Sequence, residues 1–197
     1  MTCEACQEAF RHEPYTERAA KVHAATNECC GCEKYKAWEH SPGRILDNEI
    51  LHLLITDPTN LLNGVELDPT LAMQIDRGGV STLREGASNN EFLLTIQALR
   101  ARSAEKGDQR FFHGVLTFEA GTVRKIDGGR FLCIYDTGMA DKPHHADLMA
   151  PPVSGASKSE RKRAEMARYK SLIEAIGPSF VPAARFRGGV FSGYTRR

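Results

Sequence analysis

Residues 88–138 read SNNEFLLTIQALRARSAEKGDQRFFHGVLTFEAGTVRKIDGGRFLCIYDTG. Ser88-Asn89-Asn90-Glu91 has the form of a capping box, in which Ser and Glu three apart exchange bonds with each other's backbone amides. Phe92, Leu93, Ile96 and Leu99 then recur at helical spacing, Arg100, Arg102, Glu105 and Lys106 fall toward solvent, and Gly107 stops the helix. Strand-like runs follow at Phe111–Glu119, Gly121–Ile126 and Arg130–Asp136, and Asp127-Gly128-Gly129 signals a hairpin between the last two. Cys133 falls inside the last run and reads as a buried apolar residue. A helix followed by consecutive strands predicts an α+β fold, a small antiparallel sheet with packed helices.

Working outward, Asn48–Ile55 is apolar but compatible with helix or strand, and Asp57-Pro58 ends it. Residues 59–87 are rich in turn signals and read as irregular. Five of the six cysteines lie in the first 32 residues, as Cys3-Glu4-Ala5-Cys6 and Cys29-Cys30-Gly31-Cys32. Two such pairs predict a tetrahedral thiolate site for structural zinc, with Cys3, Cys6, Cys29 and Cys32 as ligands. Cys30 is an alternative partner, and His23 or His12 could replace one thiolate. Pro14 and the helix formers up to Asn27 predict a helix between the pairs. With so few apolar residues, a metal would supply much of this lobe's folding energy.

These readings divide the chain into a zinc-binding lobe over 1–40 and an α+β core over 44–149. A linker follows over 150–156, then a basic amphipathic helix over 157–177 and a basic, flexible arm over 178–197. The net charge of +1 hides an asymmetry: from Lys158 onward there are ten Lys/Arg against three Asp/Glu, leaving −6 for the rest. Ser157-Lys158-Ser159-Glu160 is a second capping box. Arg161, Lys162 and Arg163, together with Arg185, Arg187, Arg196 and Arg197, are the candidate contacts to an acidic protein or a nucleic acid. Phe186, Phe191 and Tyr194 between these arginines could stack on bases. The N-terminus lacks an apolar leader and no run spans a membrane, so a reducing cytoplasm is the expected location.

Chemistry, if present, would sit near Asp136, His144, His145 and Asp147, with Arg77, Arg84 or His113 in support. Adjacent histidines point apart in most backbones, and no Ser–His–Asp set is identifiable. Arg77-Gly78-Gly79-Val80-Ser81-Thr82 could bind phosphate through backbone amides.

Asp47-Asn48-Glu49-Ile50-Leu51, Gly78-Gly79-Val80-Ser81, Tyr135-Asp136-Thr137 and His145-Ala146-Asp147-Leu148 together resemble a group of uncharacterised bacterial proteins. These share an Asn-Pro-x-His-Ala-Asp-like segment after a late strand. Here Asp141-Lys142-Pro143 stands where the asparagine-proline would fall. The resemblance covers about residues 44–149 and implies a recurrent domain in which His145 and Asp147 matter. The expected function is a zinc-stabilised adaptor engaging a protein or nucleic acid within a larger bacterial assembly. The alternative is an enzyme acting on a phosphate- or nucleotide-containing substrate.

Overall fold

In the computed structural model, the residues described are 3–36, 38–57, 60–62, 66–68, 74–105, 107, 109–126, 131–151 and 157–195. The fold is α+β, as its sequence predicts. Its frame is a six-stranded antiparallel sheet whose strands, in chain order, are β1 (Ile50–Asp57), β4 (Val80–Arg84), β5 (Phe111–Glu119), β6 (Cys133–Asp136), β7 (His145–Met149) and β8 (Phe180–Pro182). The spatial order is β6-β7-β4-β1-β5-β8. Two short strands, β2 (Leu61–Leu62) and β3 (Glu66–Leu67), pair separately. The helices are α1 (Glu4–Phe10), α2 (Arg18–Ala24), α3 (Asn89–Ala104), α4 (Ala120–Arg124) and α5 (Lys158–Ile176).

Alternation along the strands divides the sheet into two unlike faces. Leu51, Leu53 and Ile55 of β1 share one face with Leu116, Phe118, Ile134, Ala146 and Leu148, and there they meet Tyr169, Leu172 and Ile176 of α5. Leu54, Leu83, Phe112 and Val115 face the other way and pack on Phe92 and Ile96 of α3. On that second face, Cys133, Tyr135 and Met149 of β6 and β7 pack against Cys6, Phe10 and Val22 of the N-terminal module. The expected capping box holds α3 in place: Ser88 N donates to Glu91 Oε2 at 2.8 Å, and Glu91 N donates to Ser88 Oγ at 3.2 Å.

The apolar run at Asn48–Ile55, open between helix and strand, gives a strand over Ile50–Asp57. Elsewhere the structure departs from sequence expectation at four segments. Val80–Arg84 and His145–Met149, read as irregular and as loop, are central strands. Ala120–Arg124, overlapping the run Gly121–Ile126 read as strand, forms α4, whose Arg124 is buried and bonded to Asp47, Ile45 O and Glu33. The segment after α5 packs onto the protein instead of standing off as an arm. β8 pairs with β5, and Phe186 and Phe191 are buried against Phe92. The expected hairpin turn at 127–129, most of the 150–156 linker, and Arg196 and Arg197 lie outside the described residues.

The module is fixed to the sheet by polar bonds as well as packing. The buried Glu33 carboxylate accepts from Ile134 N at 2.5 Å and from Arg124 Nε at 3.3 Å. Ala19 N donates to Arg77 O at 2.6 Å. Tyr135 Oη and His23 Nδ1 lie 3.3 Å apart, which engages the histidine considered as an alternative ligand.

Candidate functional site

Between the module and α3, the second sheet face is left open as a cleft of about 630 Å³. Its floor comes from β1, β4 and β7. Because residues two apart on a strand share a face, His145 and Asp147 both point to this side, and Ser81 lies opposite Asp147 in the neighbouring strand. Ser81 Oγ donates to Asp147 Oδ1 at 3.1 Å. His145 lines the cleft, and its Nδ1 meets Thr137 Oγ1 at 2.8 Å. Burial holds His145 below the usual imidazole range even though Asp147 pulls the other way, so the ring is neutral at neutral pH. Among the described residues, its Nε2 has no hydrogen-bond partner.

Tyr15 forms the module wall. Its hydroxyl donates to Gly79 O at 2.5 Å, and burial, then the Asp147 charge, push its pKa up to about 12. The glycine pair explains how the ring fits: a Cβ on Gly78 would lie 2.0 Å from the Tyr15 ring, and Gly79 has φ +95°. Gly79 N is already bonded to Gln74 O at 2.8 Å. The two glycines thus admit an aromatic ring, and the Gly79 amide is not free to cradle a phosphate. Thr95, Leu99 and Arg102 of α3 form the opposite wall.

Four cations border this space: Arg77, Arg102, Arg110 and Lys142. Among the described residues none of them has a carboxylate within ion-pair distance, and the buried Arg110 Nε has no hydrogen-bond partner. Leu54, Leu99 and the Tyr15 ring add apolar surface. The arrangement suits a ligand with a polyanionic end and an apolar or planar part.

The expected constellation around His145 separates into three. His145 and Asp147 share the cleft. Asp136 lies on the opposite face, where its carboxylate accepts from Gly43 N at 2.6 Å and sits 3.6 Å from Arg84 Nη1. Burial raises the pKa of Asp136 against the pull of Arg84. Arg84 also binds Glu49 and Gly43 O, a buried structural network. His144 points to α3 instead, where its backbone N and Nδ1 lie 3.0 and 3.1 Å from Glu91 Oε1. His113 stacks on Phe180 at 5.2 Å. Of the supporting residues, only Arg77 borders the cleft. Tyr15, Ser81, Arg102, Arg110 and Lys142 had no sequence signal as a set, because they come from five separate segments.

The cysteines regroup as well. Cys6 and Cys32 form one disulfide and Cys30 and Cys133 another. Cys3 caps α1 with its sulfur 3.4 Å from Cys6 N, and Cys29 is exposed. Cys29, Cys30 and Cys133 have sulfurs all within 4.8 Å of one another, close enough to hold a metal ion. The structure therefore places Cys29 apart from Cys6 and Cys32, and it gathers Cys133, 103 residues from Cys30, into the group. Cys133 is buried, as expected of its strand, but its sulfur belongs to the module.

The basic residues of α5 also divide. Arg161, Lys162 and Arg163 are exposed, whereas Arg168 binds Asp76 at 2.9 Å. Arg187 lies over the Phe92 ring at 4.5 Å and donates to Asn89 Oδ1 at 2.9 Å. Arg185 is exposed. Among the described residues no helix is long and apolar enough to cross a membrane. No protein-family model matches the chain, and neither does any curated protein or solved structure.

Proposed function

We propose that this chain binds a phosphate-bearing small molecule, of mononucleotide size, in the cleft between the cysteine module and α3. The observation that carries the reading is the set of four cations around one cleft without carboxylate partners among the described residues. Unpaired cations around a concave, partly apolar space are the usual means of holding a phosphate. Any proton transfer on that ligand would fall to His145, which is neutral, anchored through Nδ1 and without a described partner on Nε2. Ser81 is no nucleophile of a triad here, since its hydroxyl donates to Asp147 and not to His145. Thermal-shift and calorimetric titrations with pyrophosphate, ATP, GTP and unphosphorylated adenosine test the reading. Phosphate-bearing compounds should stabilise the protein where adenosine does not. Arg102→Ala or Lys142→Ala should weaken binding about tenfold, the loss of roughly 1.4 kcal/mol. Failure of every phosphate compound to bind, or unchanged binding by both variants, removes it.

The adaptor role rests on a different observation: Arg161, Lys162 and Arg163 are exposed near the start of α5, and Met166 beside them is 45% exposed. A partner there would be acidic, and nucleic-acid binding would weaken steeply with salt. No retention of nucleic acid at low salt, and no loss of a captured protein on replacing the three cations, would oppose it. For the cysteines, zinc is the ion proposed, since thiolates suit it and the ion would strengthen a lobe short of apolar residues.

A further inference from the structure

The sulfur cluster at the base of the module has a geometry that distinguishes its ligands. The Cys29 and Cys30 sulfurs lie 3.7 Å apart. Two thiolates on one zinc, with bonds of about 2.3 Å at a tetrahedral angle, would lie about 3.8 Å apart. These two residues are adjacent, and adjacent side chains commonly diverge. Here Cys30 has a left-handed backbone, φ 58°, a conformation unfavourable for an L-residue that accompanies the convergence of the two sulfurs. Cys133 approaches from β6 and completes a three-sulfur group. Cys29 is solvent-exposed, while Cys30 and Cys133 are 3% and 0% exposed, so the cluster has one open side and one closed side.

We infer that Cys29, Cys30 and Cys133, when reduced, form a three-thiolate zinc site, and that the Cys30–Cys133 disulfide is its oxidised, metal-free state. The inference rests on the reading that the cysteines carry zinc, and it moves the ligand set away from Cys3, Cys6 and Cys32. Two balanced steps connect the states. A dithiol reductant gives two electrons to the Cys30–Cys133 bond; its own two sulfurs join as a disulfide, and Cys30 and Cys133 are released as thiols. Zinc then displaces one proton from each of the three thiols to solvent, and three Zn–S bonds form. The fourth position lies on the solvent side, beside Cys29, and is filled by water or an incoming ligand. A site with three protein ligands is open, unlike the closed four-cysteine site expected from spacing. In either state the module is tied to β6, covalently when oxidised and through the ion when reduced.

The test uses the full chain, reduced anaerobically with a phosphine and titrated with Co²⁺, whose thiolate charge-transfer absorption reports sulfur ligation. One equivalent should bind and be displaced by Zn²⁺. Cys29→Ser, Cys30→Ser and Cys133→Ser should each weaken binding at least about tenfold, a loss of roughly 1.4 kcal/mol, while Cys3→Ser and Cys32→Ser keep it. The opposite pattern, loss with Cys3→Ser and Cys32→Ser but retention with Cys30→Ser and Cys133→Ser, overturns the assignment and leaves zinc binding standing. Absence of any Co²⁺ or Zn²⁺ uptake by the reduced parent overturns both. Should the buried Cys133→Ser fail to fold, alkylation of the folded parent decides its part. Bound Zn²⁺ should slow labelling of Cys133 read by mass spectrometry, and equal labelling with and without zinc overturns its role as a ligand.

Discussion

The two walls of the cleft stand on the same sheet face but are held by different physics. The α3 wall is an aromatic core: Phe92 is fully buried, with Phe186 and Phe191 centred 5.0 and 5.8 Å away. The module wall has two seven-residue helices, too short to persist alone, held by sulfur bonds, the Glu33 carboxylate and a few apolar contacts. Hydrophobic burial scales with apolar area and is indifferent to redox state; covalent or metal ties are not. A change in thiol chemistry should therefore move one side of the cleft and leave the other.

The largest effect expected is on the α3 wall. Phe92→Ala should cost about 3–5 kcal/mol, read as a lowered urea midpoint, while the module's disulfides remain intact by thiol titration. Next, the Cys6→Ala/Cys32→Ala double variant, which leaves Cys30–Cys133 in place, should cost about 3.5 kcal/mol, since the lost bond closes a 26-residue separation. Hydrogen exchange should rise in α1 and α2 but not in α3; equal loosening of both walls would end the comparison.

A third effect is pH-dependent and belongs to the α3 wall. Burial, with help from Arg187, lowers the His52 pKa to about 4. The unfolded chain then binds a proton that the folded chain refuses, so stability falls as pH drops from about 6.5 toward 4. The loss from this group should be on the order of 2 kcal/mol, and His52→Leu should flatten the urea midpoint across that window relative to the parent. His145 and His23, which burial also lowers, remain in both proteins and cancel in the difference. The smallest effect is Ser88→Ala, which removes the α3 cap and should cost about 1 kcal/mol by thermal unfolding.

What was legible in the sequence follows from how each element is paid in burial. α3 and β5 carry long periodic patterns and a cap, and both form within the expected bounds. β4 and β7 are not legible as strands because each is only five residues long among turn residues, and each turns polar groups to the cleft: Ser81 from one, His145 and Asp147 from the other. His145–Leu148 does alternate polar with apolar, but over too few residues to stand out, and only pairing with neighbours on both sides supplies the missing stability. The same polar positions make the strands the floor of a site. His145 and Asp147 could be selected from the sequence because they are two apart on one short segment. Asp136 and His144 could not be set aside from it, because the face of a strand residue depends on register.

By itself the sequence determined an α+β chain, the α3 cap, the helical character of residues 18–24 and a sulfur-rich front module. These depend on interactions within a few residues, which local spacing encodes. Tertiary structure alone decided which sulfurs meet and which cations gather. Cys133 reaches Cys30 across 103 residues, and Arg77, Arg102, Arg110 and Lys142 converge only because the module and α3 pack on the same sheet face. Contacts of that range are set by strand register and packing, and no local pattern records them.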